Sequence, residues 1–214
     1  MLLRASARNE IIAAMEKWLE MTAGRKGVVF DFGGVISHPP GDGWGAYRVA
    51  AELGLPRQAF DAGFRKYRNL WDGDFIDGVE MYRRIFADNG LSAADADLKR
   101  LLDADCEGWV HSFNPVTLEL MKAIKSQGRK VGILTNMPTV FKNEWFLPYA
   151  SEYVAQADAI VVSGEYHLYK PEPEIYRLME QKLDLPPEDL FFFDDNMPNV
   201  EGARRCGWRA ELFA

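Results

Sequence analysis

The sequence is poor in several features that specialised chains need. It carries two cysteines, Cys106 and Cys206, in 214 residues. They fall in what read as different domains, which argues against a disulfide and favours a reducing, cytoplasmic compartment. Neither has the neighbours of a catalytic thiol. Positive charge is also scarce. A formal net charge of −7 argues against general affinity for nucleic acid or an anionic membrane. Local amides, a lysine and a metal can still hold an anion, so a phosphate substrate remains compatible. No stretch approaches the roughly 18 apolar residues of a membrane span. The N-terminus lacks the apolar core of a leader, because Glu10, Glu16 and Lys17 interrupt it. Internal repeats and low-complexity segments are absent as well.

What the chain does have is an apolar content of 48%, enough for a buried core in one domain with an insertion. Ile11, Met15, Trp18 and Leu19 recur at helical spacing and predict an amphipathic helix ending near Thr22-Ala23-Gly24. It is expected to pack on the catalytic core rather than form a dimer contact; a monomer or homodimer is expected overall.

The chain is organised around Val28-Val29-Phe30-Asp31-Phe32-Gly33-Gly34-Val35-Ile36. Apolar residues run straight into an aspartate and two glycines, as in a short strand buried on both faces of a parallel sheet. Asp31 therefore sits at a strand's carboxyl end, where open α/β sheets place their chemistry. Taken alone, it equally fits a plain strand-end turn. Two further apolar runs end in polar residues: Val131-Gly132-Ile133-Leu134-Thr135-Asn136 and Phe191-Phe192-Phe193-Asp194-Asp195-Asn196. Between them, Tyr169-Lys170-Pro171-Glu172-Pro173 puts a lysine just before a helix start. Strands alternating with helices predict right-handed crossovers and a parallel sheet covered on both faces. From Trp44 to about Trp109 the apolar spacing is helical throughout, which predicts a small helical bundle inserted after the first strand. Ser37–Gly43 and Ser112–Pro115 read as its hinges.

In this order and spacing, the four stretches resemble the signature motifs of the haloacid dehalogenase (HAD) superfamily, from about Lys26 to the C-terminus. Lys-Pro-Glu-Pro-x-Ile-Tyr and Phe-Phe-Asp-Asp-Asn carry the resemblance best. It implies an α/β fold, a Rossmannoid three-layer sandwich with a parallel sheet whose first strand lies between the second and fourth. Residues 25–37 and 114–214 would form the catalytic core, 38–113 a helical cap, and 1–24 the added N-terminal helix.

The resemblance also implies roles. Asp31 would be the nucleophile, forming an aspartyl-phosphate that water later hydrolyses. Thr135 and the amide of Asn136 would hold phosphoryl oxygens, and Lys170 would pair with nucleophile and phosphoryl group and keep Asp31 ionised. Asp194 and Asp195 repel each other unless a cation sits nearby, and Mg²⁺ suits carboxylates and a substrate phosphate. Asp195 would be a direct ligand, with Asp194 beside it, Asp31 giving a side-chain oxygen and Gly33 its carbonyl. Gly34 would lie against the substrate. Asn196 and Asn199 would support the outer shell, or Asn199 would cap its helix.

Gly33 departs from the common pattern, in which a second aspartate two residues after the nucleophile protonates the leaving alcohol. Such an acid is worth about a hundred- to ten-thousandfold in rate. His38 or a cap residue is a candidate replacement. Leu70-Trp71-Asp72-Gly73-Asp74-Phe75-Ile76 resembles the family's specificity loop. Trp71 is the residue expected to touch substrate, with Arg65, Arg68 and His111 as weaker candidates. The expected activity is Mg²⁺-dependent hydrolysis of a small phosphomonoester, such as a sugar phosphate. A 2-haloacid dehalogenase is an alternative prompted by Gly33, opposed by Asp194-Asp195. A catalytically silent binding protein is another, opposed by Asp31, Thr135, Lys170 and Asp195.

Overall fold

The computed structural model describes residues 2–213, with side chains described from residue 8. A helix, α1 (Leu2–Met21), leads into strand β1 (Gly27–Phe30). Four helices follow as one insertion: α2 (Gly45–Glu52), α3 (Arg57–Asp72), α4 (Gly78–Asp88) and α5 (Asp95–Trp109). The chain then alternates through α6 (Pro115–Ser126), β2 (Lys130–Thr135), β3 (Ala159–Val162), α7 (Pro173–Leu183), β4 (Leu190–Asp194), α8 (Met197–Arg205) and β5 (Arg209–Leu212). Between β2 and β3 lie short helical segments, including a π-helical turn at Lys142–Phe146.

All five strands are parallel, in the order β3-β2-β1-β4-β5. The first strand therefore lies between the second and fourth, as the family resemblance implies. Strand alternation sorts the side chains into two layers. Val28, Phe30, Ile133, Phe191 and Phe193 pack with Met121 and Ile124 of α6. Val29, Leu134, Val161 and Phe192 pack on the opposite face with Ile175, Met179 and Val200 of α7 and α8. Apolar residues on both faces are why these strands read as unbroken runs rather than as an alternating pattern.

Trp18 of α1 stacks on Phe213 at 4.8 Å and meets Phe193 edge-on at 5.4 Å. The two connections to the helical insertion run side by side, with His38 N donating to Ser112 O at 3.0 Å and Asn114 N to Ile36 O at 2.9 Å. Trp44, Phe60, Tyr82 and Leu98 form the interior of this cap and share one apolar cluster with Phe32 of the core. Cap and sheet thus meet over the carboxyl ends of the strands.

Candidate active site

Parallel register brings the acids together. Phe30 of β1 pairs with Phe193 of β4, and Asp31 N continues the ladder by donating to Phe193 O at 2.9 Å. Asp31 and Asp194 therefore leave neighbouring strands at the same level, with Asp195 one residue on. The three offer carboxylate oxygens within 4.8 Å of one another.

The turn after β1 makes room for this. Gly34 has φ +75°, and a Cβ there would lie 2.1 Å from Asp195 Oδ2. Only glycine allows both that backbone and that approach. Gly33 is different: a Cβ there would lie 3.0 Å from the indole of Trp109, the last residue of α5. A side chain at the position where the common pattern puts its second aspartate would crowd a cap tryptophan.

Lys170 is buried, with Nζ 2.8 Å from Asp31 Oδ1 and 2.6 Å from Asp194 Oδ2. Its main chain is gripped at both ends by the Asn136 side chain. Lys170 N donates to Asn136 Oδ1 at 2.8 Å, and Asn136 Nδ2 donates to Lys170 O at 3.0 Å. The end of β2 thus positions the lysine. Asp194 is fully buried and its oxygens are occupied. Asn196 N donates to Oδ1 at 2.8 Å, Lys170 to Oδ2, and Asn199 Nδ2 to both at 3.1 and 3.2 Å. Asn199 is therefore not a helix cap; Asn196 occupies the N-cap position of α8, and Asn199 fixes Asp194.

Burial pushes the Asp31 carboxyl up to about 7, helped by Asp194 and Asp195 and opposed by Lys170. Without a cation, the lysine does not by itself keep Asp31 ionised: desolvation outweighs it. Burial alone would lower the Lys170 ammonium, but Asp194 and Asp31 overcome it and the net direction is up. Partial desolvation and Asp194 also raise Asp195, which keeps an exposed face.

These groups open into one cavity of about 280 Å³. Asp31, Gly33, Thr135, Asn136, Lys170 and Asp195 form its core side. The cap contributes Phe64, Arg68, Asn69, Asp72 and Trp109. Trp71 is not on the wall. It is 1% exposed, lies under Arg68 and faces the first residue of α4, where a Cβ on Gly78 would meet it at 3.1 Å. Helical geometry explains the correction: near the end of α3, Arg68 and Asp72 share one face, four residues apart, and Trp71 points from the neighbouring face into the bundle. Arg65, His38 and His111 are exposed and off the wall, whereas Arg68, given the same surface default, is part of it.

Sequence reasoning missed Asp72, Asn69 and Trp109. Asp72 was visible within the Trp-Asp-Gly-Asp loop; nothing local marks Trp109. The loop itself is docked onto the core. Asp74 accepts from Thr139 N at 3.2 Å, Ser163 Oγ donates to Asp72 O at 2.5 Å, and the His167 ring meets Gly73 O at 2.8 Å.

The haloacid dehalogenase-like hydrolase family matches residues 25–207, the span that holds every residue of this site. The chain belongs to that family. A phosphatase of Mycobacterium tuberculosis is 32% identical over 92 residues, 43% of this chain and 42% of that protein. A phosphorylated carbohydrates phosphatase of Thermotoga maritima is 30% identical over 94 residues, 44% of this chain and 43% of that protein. The chain thus spans less than half the length of the curated relatives it matches. A HAD-family enzyme of Bacteroides thetaiotaomicron, solved with magnesium and inorganic phosphate, shares the fold at TM-score 0.66 and 18% identity, covering 88% of this chain and 94% of that one. In the HAD-like hydrolase described here, no helix among the described residues is long and apolar enough to cross a membrane.

Proposed function

We propose that this HAD-like hydrolase is a Mg²⁺-dependent phosphomonoesterase acting on a small phosphorylated metabolite, a sugar phosphate among the candidates. One observation carries the reading. Asp31, Thr135, Lys170 and Asp195, far apart in sequence, line a single cavity of about 280 Å³ under a helical cap.

The donor set fits a hard cation. Its side-chain donors are all carboxylate oxygens, and the burial that raises Asp31 would be relieved by a bound positive charge. Asp31, Asp195 and the Gly33 carbonyl would hold Mg²⁺, with Asp194, engaged by Lys170 and Asn199, keeping the lysine in place. Bound there, the ion supplies positive charge that ionises Asp31 and draws in the phosphate.

The chain's own residues do the rest. Asp31 attacks phosphorus and becomes an aspartyl-phosphate. Lys170 and Thr135, with the Asn136 amide, take the phosphoryl oxygens as their charge shifts. Residues 38–113, read as the cap, cover the site and limit both water and substrate size. Phosphate release from a panel of sugar phosphates, nucleotides and phospho-acids, with and without Mg²⁺, tests the reading. Asp31→Asn should fall to background; release that survives this substitution, or chloride release from 2-haloacids in EDTA, overturns it.

A further inference from the structure

The reaction just proposed lacks an acid for the departing alcohol, and the cavity wall narrows where one can come from. Among the described residues, Asp31, Asp195 and Asp72 are the carboxyls on the wall, the first two being the ones that would hold the cation, and no histidine or tyrosine lies there. From the end of α3, Asp72 faces the core across the cavity.

Its surroundings are built. Asp72 is buried, its side chain 7% exposed, and Oδ1 accepts from Arg68 Nε at 2.6 Å. Its main-chain oxygen is fixed by Ser163 of the core, so the acid is tied to both domains. Arg68 lies over the rings of Trp71 at 4.8 Å and Trp109 at 5.7 Å. Trp109 is the residue that closes the space beside Gly33. The position where an aspartate is missing and the position where one is present are thus joined by a single stack: Gly33, Trp109, Arg68, Asp72.

We propose that Asp72 is the general acid and base of this enzyme, a catalytic carboxyl moved from the turn after β1 to the cap. The inference rests on the phosphomonoesterase reading. Asp31 attacks phosphorus, the ester P–O bond breaks with its electron pair going to oxygen, and the Asp72 proton completes the alcohol. The Asp72 carboxylate then takes a proton from the water that attacks the aspartyl-phosphate. The P–O bond to Asp31 breaks, and both carboxyls return to their starting states. Three charged groups bear on Asp72: Arg68 on its own helix, Asp105 of α5 and Lys170 of the core. Burial, aided by Asp105, outweighs the two cations and pushes the carboxyl up to about 6, within reach of an acid and base working near neutrality.

Two esters of similar size separate this role from a structural one. Nitrophenolate leaves unaided, whereas phenolate is a poorer leaving group and needs the proton. With Mg²⁺ present, Asp72→Asn should lower kcat/KM, which reads only the steps up to release of the alcohol, about a hundredfold for phenyl phosphate and less than about threefold for 4-nitrophenyl phosphate. In the wild type, which needs no refolding control, kcat/KM for phenyl phosphate should fall relative to that for 4-nitrophenyl phosphate as pH rises above about 6. Equal losses on the two esters, or superimposable wild-type profiles, overturn the assignment while leaving phosphomonoester hydrolysis intact. A wild type that hydrolyses neither ester overturns both readings together.

Discussion

Lys170 is committed to Asp194 more closely than to Asp31. Nζ lies 2.6 Å from Asp194 Oδ2, against 2.8 Å from Asp31 Oδ1. Asp194 is in turn saturated by Asn196 and Asn199. The lysine therefore bridges the two acids, and the other contacts of Asp194 hold that bridge in place.

This arrangement makes Lys170 a structural as well as a chemical residue. Lys170→Met leaves two buried carboxylates without their cation, and breaking such a pair costs about 3–5 kcal/mol. At this chain length that is a fall in Tm of roughly 6–20 °C, alongside loss of turnover. An unchanged melting curve in the metal-free variant would contradict the burial described.

Stability without metal should depend on pH through Asp31 and Asp72. Burial raises them to about 7 and about 6, against about 3.9 for an unfolded aspartate. Both folded-state values are raised, so between about pH 4 and pH 7 the folded protein holds protons that the unfolded chain has released. Stability then falls as pH rises through that window. In EDTA, Tm should decline from about pH 5 to pH 8, and at pH 8 Asp31→Asn should melt above the wild type by about 2 °C or more. Added Mg²⁺ should raise the wild-type Tm and not that of Asp31→Asn. Identical pH dependences for the two proteins would count against the buried, proton-holding Asp31.

Gly34 tests the close approach of the turn to Asp195. In Gly34→Ala the new methyl would sit 2.1 Å from Asp195 Oδ2 on a backbone of φ +75°. The strain costs about 1–3 kcal/mol, and displacing Asp195 should abolish the Mg²⁺-induced rise in Tm. A variant that retains the full metal response shows that Asp195 is not held where it is drawn here.

Restoring the common aspartate should not help. Gly33→Asp drives a side chain against Trp109, 3.0 Å from where its Cβ would lie, and overpacking of this kind costs about 1–3 kcal/mol. Combined with Trp109→Ala, the loss should be less than the sum of the single losses, because the clash disappears. Strict additivity in thermal melts would show that the two positions do not touch.

Much of the core was legible because its signals are local. An apolar run ending in a carboxylate is both a buried strand and a strand end, so Asp31, Thr135 and Asp194-Asp195 could be placed at one edge of the sheet before any coordinates. The cap was legible only as helices. Apolar spacing shows that Phe60, Phe64 and Trp71 lie along one stripe, yet a wide stripe contains both the bundle interior and the cavity wall. The same stripe therefore does not tell Trp71, which is buried in the bundle, from Arg68 and Asp72, its neighbours on the helix, which line the cavity.

Composition and motif order by themselves determined the α/β architecture, the inserted helical cap, the strand-end acids and the family. The architecture, the inserted helices and the strand-end acids follow from short-range periodicity and from the chemistry of residues adjacent in the chain, whereas the family follows from the resemblance of the motifs. The tertiary structure alone decided which residues face the cavity, that Asp194 is consumed in holding Lys170, and that Trp109 packs against Gly33. Those facts depend on distances between α3, α5 and the turn after β1, segments separated by tens of residues, and no local pattern in a single chain encodes such a distance.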